Sequence, residues 1–170
     1  MDINRLHIWR KGLKVERMHT VPHITPYNNG FHSCNAALIA HELCMLNGIN
    51  SATVIRYKLM HDIAEGYVGD TPTNVKKDFP DIKKALDRAE KHWEKTYIPD
   101  MPDLHPQEKE IAKAADLAEL GMYCLEELHL GNKNVLFVLN NVIAYLKSYQ
   151  DIKGVTDFID HFIIVKTGDI

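Results

Sequence analysis

The chain has 170 residues, 45% of them apolar, and a formal net charge of −3 with histidines neutral. This length is typical of one domain, residues 1–170, that buries a substantial core. The slightly acidic balance argues against binding to a nucleic-acid polymer, which usually requires a basic surface. The lack of a long apolar run and of paired-cysteine motifs predicts a cytoplasmic protein with no signal segment, membrane association or disulfide framework.

Apolar residues at helical spacing, separated by glycine and proline, predict an all-α fold of about six or seven helices. Gly48 ends the second predicted helix, Ser51 is placed to cap the third, and Pro80 and Pro106 open two more. A mixed α/β fold would need strands in ATVIRY or FIIVK, and those runs are short and isolated. The predicted helices cover residues 2–15, 32–46, 51–65, 80–96, 106–129, 133–149 and 155–164, with polar loops at 17–31 and 66–73.

Four potential metal ligands lie in or beside these helical segments: His32, His61, Asp62 and Asp116. An imidazole or carboxylate in an apolar helix needs a reason to be buried. The set contains nitrogen and oxygen but no thiolate, so it suits Mn, Co, Fe, Ni or Zn and does not resemble a structural zinc site. Four ligands favour one metal ion over a two-metal cluster. Taken singly, each has an ordinary alternative, such as an ion pair of Asp116 with Lys113 one turn earlier.

Two further acids follow the His-Asp pair. Glu65 comes three residues after Asp62, so a continuous helix would place both on one face, where Glu65 can hold or deprotonate a water molecule. Asp70 lies in the turn GDTPT, where it is either a plain turn residue or a group near the leaving oxygen or the sugar hydroxyl. Lys76 and Lys113 could neutralise phosphate charge, although lysines are usually solvated.

The segment HDIAEGYVGDTPTNVKK, with FHSCNAALIAHEL upstream and KAADLAELGMYCLEELHLGN downstream, resembles the bacterial 5′-deoxynucleotidase group of HD-domain metal-dependent phosphohydrolases. It is also similar to the small phage dATP triphosphohydrolases. The resemblance runs from about Arg17 to about Asn132. It implies one all-helical HD domain, one divalent metal ion (Co, Mn, Zn, Fe, Ni or Mg), a homo-oligomer of two or more copies, and removal of phosphate from small-molecule 2′-deoxynucleotides. For a phage-encoded chain, the location would be the host cytoplasm.

The resemblance also implies a role for each matching position. The metal ligands would be His32, His61, Asp62 and Asp116, the water-activating acid Glu65, the residue near the leaving group Asp70, the phosphate-facing lysines Lys76 and Lys113, and the nucleotide-contacting arginine Arg17. In the family a tryptophan that packs on the nucleoside commonly follows this arginine. Here Met18 follows it, and methionine offers a flexible apolar surface for the same purpose.

The sequence therefore predicts a deoxynucleotide phosphohydrolase and does not settle whether the substrate is a monophosphate or a triphosphate. The short chain leans slightly toward the phage-type enzymes, and hence toward dATP. Two alternatives share parts of the pattern. An HD phosphodiesterase or guanosine-tetraphosphate hydrolase would have the same metal core but different flanks, and the GDTPT segment argues against it. A non-catalytic metal-binding or nucleotide-binding module would have no use for Glu65 and Asp70.

Overall fold

Helices make up nearly all of the regular secondary structure in this computed structural model, which describes residues 1–167. Within that range there is no strand, and β-type pairing is limited to one antiparallel bridge between Glu16 and Asn28. The all-α prediction is confirmed. The elements are α1 (Ile3–Gly12), α2 (Asn29–Leu46), α3 (Ala52–Met60), α4 (Glu65–Val68), α5 (Thr73–Asp78), α6 (Pro80–Tyr97), α7 (Pro106–His129), α8 (Leu136–Leu146) and α9 (Val155–Thr167), with 3-10 turns at Lys133–Val135 and Lys147–Tyr149.

The main core forms around α2 and α7. Helix α2 packs along both α7 and α3, while α8 and α9 cover the other side of α7. The small side chains of fully buried alanines allow the helix axes to approach closely. These alanines lie at helical spacing, Ala36 and Ala40 on α2 and Ala115 and Ala118 on α7. Because the candidate ligands His32 and Asp116 lie on these same two helices, the core fixes their separation.

A second, smaller core supports the turn that carries His61 and Asp62. Ile63 and Ala64 of that turn are buried together with Trp93 of α6, and residues of α1 pack against them. Trp9 of α1 donates from its indole Nε1 to the carbonyl of Tyr97 at 2.9 Å. Helices α1 and α6 therefore hold the turn between them.

Two glycines allow α1 to lie directly on this turn. A Cβ atom built at Gly12 would overlap the backbone of Ile63, and one at Gly66 would lie 2.7 Å from the Cα of Gly12. Only glycine, which has no Cβ atom, permits so close an approach of two backbones. The tertiary contact with α1 thus accompanies the end of regular helix at this point.

The predicted helix over 51–65 is accordingly wrong at its end. Helix α3 stops at Met60, and the backbone then turns with short-range bonds, Ile63 N to Met60 O at 3.2 Å and Glu65 N to Asp62 O at 3.1 Å. Glu65 opens the separate helix α4 instead of continuing the helix of Asp62. Ser51 lies at the N-cap position of α3 as predicted, but its hydroxyl makes no capping hydrogen bond and pairs instead with His41 Nδ1 at 2.8 Å.

The other boundaries agree more closely. Helices α6 and α7 begin at their prolines as predicted. The short helix α5 was not predicted, and the segment 133–149 has 3-10 turns at both ends of α8. Residues 168–170 of the predicted domain lie outside the described residues. None of the helices described is long and apolar enough to cross a membrane.

A buried carboxylate fastens the loop between α1 and α2 to α7. Glu127 accepts from the backbone amides of Ile24 and Thr25, each at 2.7 Å, from the Thr25 hydroxyl at 2.6 Å, and from Asn132 Nδ2 at 2.7 Å. Burial alone would raise the pKa of Glu127, but these hydrogen bonds lower it to about 2. The same loop carries Arg17 and Met18 at its start, so Glu127 helps to position them.

We expect the substitution Glu127→Gln to reduce the free energy of unfolding by about 2 kcal/mol at pH 7, because charge-assisted hydrogen bonds are lost. A depressed carboxyl pKa stabilises the fold above the unfolded-state value of 4.5, and this contribution is lost as the pH falls toward 2. Urea unfolding at several pH values should therefore show the variant and the wild type converging as the solution becomes acidic. Glu126→Gln, an exposed neighbour, is the matched control; a constant difference at every pH would contradict the assignment.

Candidate active site

Three separate parts of the fold bring the four predicted metal ligands together. His32 lies in the first turn of α2, His61 and Asp62 follow α3, and Asp116 lies in the middle of α7. Oδ1 of Asp116 is 3.0 Å from His32 Nε2 and 3.5 Å from His61 Nε2. Asp62 places Oδ1 at 3.2 Å from His61 Nε2 and Oδ2 at 3.6 Å from His32 Nε2. One donor atom each from His32, His61 and Asp116 lies within 4.8 Å of the others, a grouping that could hold a metal ion.

The hydrogen bonds of the two imidazoles fit metal binding. His61 Nδ1 lies 2.9 Å from the carbonyl oxygen of Lys58, and His32 Nδ1 contacts the carboxylate of Glu119. Since both Nδ1 partners are acceptors, a proton on each Nδ1 satisfies them, and the Nε2 atoms, which face Asp116, are the ring nitrogens left to bind a metal ion. Metal-binding histidines are commonly oriented in this way by a carbonyl or carboxylate at the other ring nitrogen. The donor set therefore suits a divalent ion.

Glu119 orients His32 from within the core, and the sequence analysis missed it. It is 2% exposed, and it also accepts a hydrogen bond from the hydroxyl of Tyr27 at 2.5 Å. Burial alone would lower the pKa of His32, but Asp116 and Glu119 raise it. The signal in the sequence is modest: Glu119 lies three residues after Asp116, on the same face of an otherwise apolar helix.

Lys58 is the second residue that the sequence analysis missed. Its side chain is fully buried, its ammonium nitrogen contacts Asp116 Oδ1, and that nitrogen lies 2.7 Å from His61 Nε2. Burial lowers the pKa of Lys58, while the carboxylates of Asp116 and Asp62 act in the opposite direction. Asp116 thus pairs with Lys58. The alternative prediction from the sequence, an ion pair of Asp116 with Lys113, is wrong.

Arg17 and Asn29 connect Asp62 to Glu65. Arg17 Nη1 donates to Asp62 Oδ2 at 2.7 Å and to Asn29 Oδ1 at 3.1 Å. The amide nitrogen of Asn29, a fully buried residue, donates to Glu65 Oε2 at 2.8 Å and to the backbone carbonyl of Asp62 at 3.1 Å. Asn29 was also missed, because it lies in the segment 17–31 that the sequence predicted to be a loop.

Burial and the nearby charges allow the carboxyl group of Glu65 to exchange a proton near neutral pH. Burial, followed by the nearby carboxylate of Asp62, raises the pKa of Glu65 to about 7, while Arg17 acts against the rise. For Asp62 the balance is opposite: burial alone would raise its pKa, but His61 and Arg17 lower it. Two neighbouring acids with opposite shifts are suited to different tasks, one as an anionic ligand and one as a proton acceptor.

The remaining predicted residues lie around this cluster without a recorded bond to it. Asp70 is partly buried, with Oδ2 3.9 Å from His19 Nδ1, and its charge acts on Glu65. Lys76 is partly buried on α5, and Lys113 is exposed one turn before Asp116. Met18 packs against the main core and has a positive φ of 54°, which is uncommon for a residue other than glycine. The roles suggested for these four residues stay predictions.

Comparison with solved structures places the fold among HD-domain proteins. The chain superposes on the HD phosphohydrolase of cyanophage S-2L, described as bound to dA and one catalytic Zn²⁺ ion, with a TM-score of 0.72 and 18% identity over 95% of this chain and 96% of that one. An HD-domain phosphohydrolase from Listeria innocua gives a TM-score of 0.77 at 20% identity, over 94% and 87% of the two chains.

The chain belongs to the YfbR-like 5′-deoxynucleotidase family, whose family model matches residues 10–165. Among its curated relatives, a 5′-deoxynucleotidase of Vibrio vulnificus is 30% identical and one of Vibrio parahaemolyticus is 27% identical. Each alignment covers 74% of this chain and 75% of the relative. The predicted family is confirmed, and with it the class of metal-dependent deoxynucleotide phosphohydrolase. The predicted extent, 17–132, was too narrow, because the apolar C-terminal helices carry no motif.

We expect Glu119→Gln to weaken divalent-metal binding by about 10- to 100-fold, because the neutral amide holds the Nδ1 proton of His32 less strongly. Isothermal titration of the chelator-stripped protein with Zn²⁺ measures the change. Glu110→Gln, an exposed substitution on the same helix, should leave affinity unchanged. Equal affinities in both variants and the wild type would show that Glu119 does not position the histidine.

Proposed function

We propose that the chain is a divalent-metal-dependent phosphohydrolase that removes 5′-phosphate from small-molecule 2′-deoxynucleotides. The observation that carries the proposal is the grouping of His32 Nε2, His61 Nε2 and the Asp116 carboxylate within 4.8 Å, beside an acid whose pKa is raised. Hydrolysis of a phosphate ester needs a cation and a proton acceptor close together, and this arrangement offers both.

In this proposal His32, His61, Asp62 and Asp116 hold one divalent ion, which is Co, Mn, Zn, Fe, Ni or Mg. A bound ion of this kind lowers the pKa of a water ligand and polarises the phosphoryl group. Two imidazoles and two carboxylates favour the borderline ions over Mg²⁺, which prefers an all-oxygen shell. The catalytic Zn²⁺ named for the cyanophage enzyme supports this choice.

The chain's own residues supply the proton transfer. Glu65 accepts the proton of the attacking water, since a pKa near 7 lets the carboxylate be both present and basic at neutral pH. Asn29 Nδ2 donates to Oε2 of Glu65 at 2.8 Å and so holds this carboxylate in place. Asp70 acts at the leaving oxygen or the sugar hydroxyl.

Four residues contact the substrate in this proposal. Arg17 adjoins the ligand Asp62, so its remaining N–H groups can meet the nucleotide while Nη1 stays on the carboxylate. Met18 offers an apolar surface to the nucleoside, and Lys76 and Lys113 compensate phosphate charge. We favour monophosphates over triphosphates, because the curated relatives are named 5′-deoxynucleotidases.

We also propose that the chain works as one domain, in the cytoplasm, as a homo-oligomer of two or more copies. Support for the oligomer comes from α2, where Phe31, Leu38 and Met45 are 43%, 62% and 61% exposed at intervals of seven residues. Such a spacing puts three large apolar side chains along one side of a helix, where a second copy can cover them.

Product analysis tests the substrate. Purified protein is incubated with each dNMP, NMP and dNTP in the presence of Mn²⁺, Co²⁺, Zn²⁺ or Mg²⁺. Inorganic phosphate from dNMP alone is the expected result. Tripolyphosphate from dATP would instead indicate the triphosphohydrolase reaction, and no turnover with any nucleotide would favour a non-catalytic binding module.

We expect Glu65→Gln to reduce kcat by about 10²- to 10⁴-fold, because the amide cannot accept the proton of the attacking water. Its metal affinity should stay close to that of the wild type, since Glu65 is not among the proposed ligands. Asp116→Ala is the contrasting variant and should lose metal binding and activity together. Unchanged phosphate release by Glu65→Gln would remove Glu65 from the catalytic role.

A further inference from the structure

Lys58 is a buried cation inside the proposed metal site. Its side chain has no exposed surface, and its ammonium group contacts the same oxygen of Asp116 that faces both histidines. The ammonium nitrogen also lies 2.7 Å from His61 Nε2, which is the ring atom directed at Asp116. Lys58 therefore uses two of the atoms that a metal ion would use.

The local backbone fixes Lys58 in this place. Lys58 lies in the last turn of α3, and His61 follows it by three residues. The Nδ1 atom of His61 is held by the backbone carbonyl of Lys58 itself at 2.9 Å. Side chains three residues apart lie on one face of a helix, so the ammonium and the imidazole are directed to the same point.

A burial this complete requires a strong partner. Lysine is almost never fully buried unless it is paired, since an unpaired ammonium away from water costs several kcal/mol. Here the partners are the carboxylate of Asp116 and, at longer range, that of Asp62. The cluster of acids thus has an internal cation to balance it.

An ammonium group and a divalent ion cannot share these atoms. Both would bond to Asp116 Oδ1 and His61 Nε2, and their like charges would repel strongly at such short range in a buried site. Binding of the ion therefore requires the ammonium of Lys58 to move away. The free energy needed to break the ion pair of Lys58 then makes the binding free energy of every metal ion less favourable.

We infer that Lys58 is an internal competitor for the metal site, which occupies the ligands Asp116 and His61 and must be displaced when a divalent ion binds. The inference rests on the proposed metal site. If only a fraction of molecules has the ligands free, the apparent dissociation constant is raised by the inverse of that fraction, for all ions alike. An ion that binds weakly, such as Mg²⁺, then falls below useful occupancy, while tightly binding Zn²⁺ or Co²⁺ still fills the site.

The test is the substitution Lys58→Met, which keeps the length of the side chain and removes its charge. The full chain is stripped with a chelator, its folding is checked by circular dichroism, and it is titrated with Co²⁺, whose visible absorption reports binding directly. We expect the variant to bind Co²⁺ at least about tenfold more tightly than the wild type, as a competitor that fills nine sites in ten would require. Lys109→Met, an exposed lysine on α7, controls for the loss of one positive charge and should bind like the wild type.

Thermal unfolding gives a second readout that does not depend on activity. Without metal, Lys58→Met should unfold at a lower temperature than the wild type, because the acids lose their internal cation. With saturating Co²⁺ the rise in unfolding temperature should be larger in the variant than in the wild type. If Lys58→Met fails to fold, Lys58→Gln, which is neutral and polar, is titrated in its place.

Three results would overturn the inference. Equal Co²⁺ affinity in Lys58→Met and the wild type would mean that Lys58 does not compete, while the proposed metal site would stand. Weaker binding by the variant would mean that the lysine supports the ion instead of opposing it. If neither protein binds Co²⁺ at all, the proposed metal site fails, and the competition fails with it.

Discussion

A single carboxylate oxygen, Oδ1 of Asp116, determines the geometry of the candidate site. It is contacted by His32 from α2 and by Lys58 from α3, and it faces His61 at 3.5 Å. Burial alone would raise the pKa of Asp116, but Lys58 and His61 hold it well below its usual range. A carboxylate in a helical core is stable only with such partners, so the convergence of three helices and the chemistry of the site have the same electrostatic cause.

The parts that could be predicted from the sequence are those with a local or familiar signal. Helix α7 could be delimited because Pro106 opens it and Gly131 follows it, and a regular apolar spacing lies between. The His61-Asp62 pair and its flanks indicated the family and named the four potential ligands that the structure brings together. These features depend on neighbouring residues, or on a motif that resembles a known family.

The parts that could not be predicted depend on tertiary contacts. Helix α3 ends at Met60, where α1 packs closely against the next turn. The local sequence at 61–64 contains no signal that predicts this contact. Asn29, Lys58 and Glu119 have ordinary residue types at ordinary helical positions, and only the folded chain shows that they meet the ligands. For Lys58 a clue was present: a lysine one turn before the motif histidine, on the same face of its helix.

The contact of Gly12 with the turn makes the N-terminal helix part of the support of the candidate site. No hydrogen bond or ion pair joins the first twelve residues to the four ligands. The end of α1 nevertheless packs directly against the turn that carries His61 and Asp62. A methyl group at either glycine would force the two backbones apart, and even a small displacement matters for atoms that must share one ion. The N-terminal helix is therefore a structural support of the candidate site, and Gly12 and Gly66 are among the positions that tolerate no added side chain.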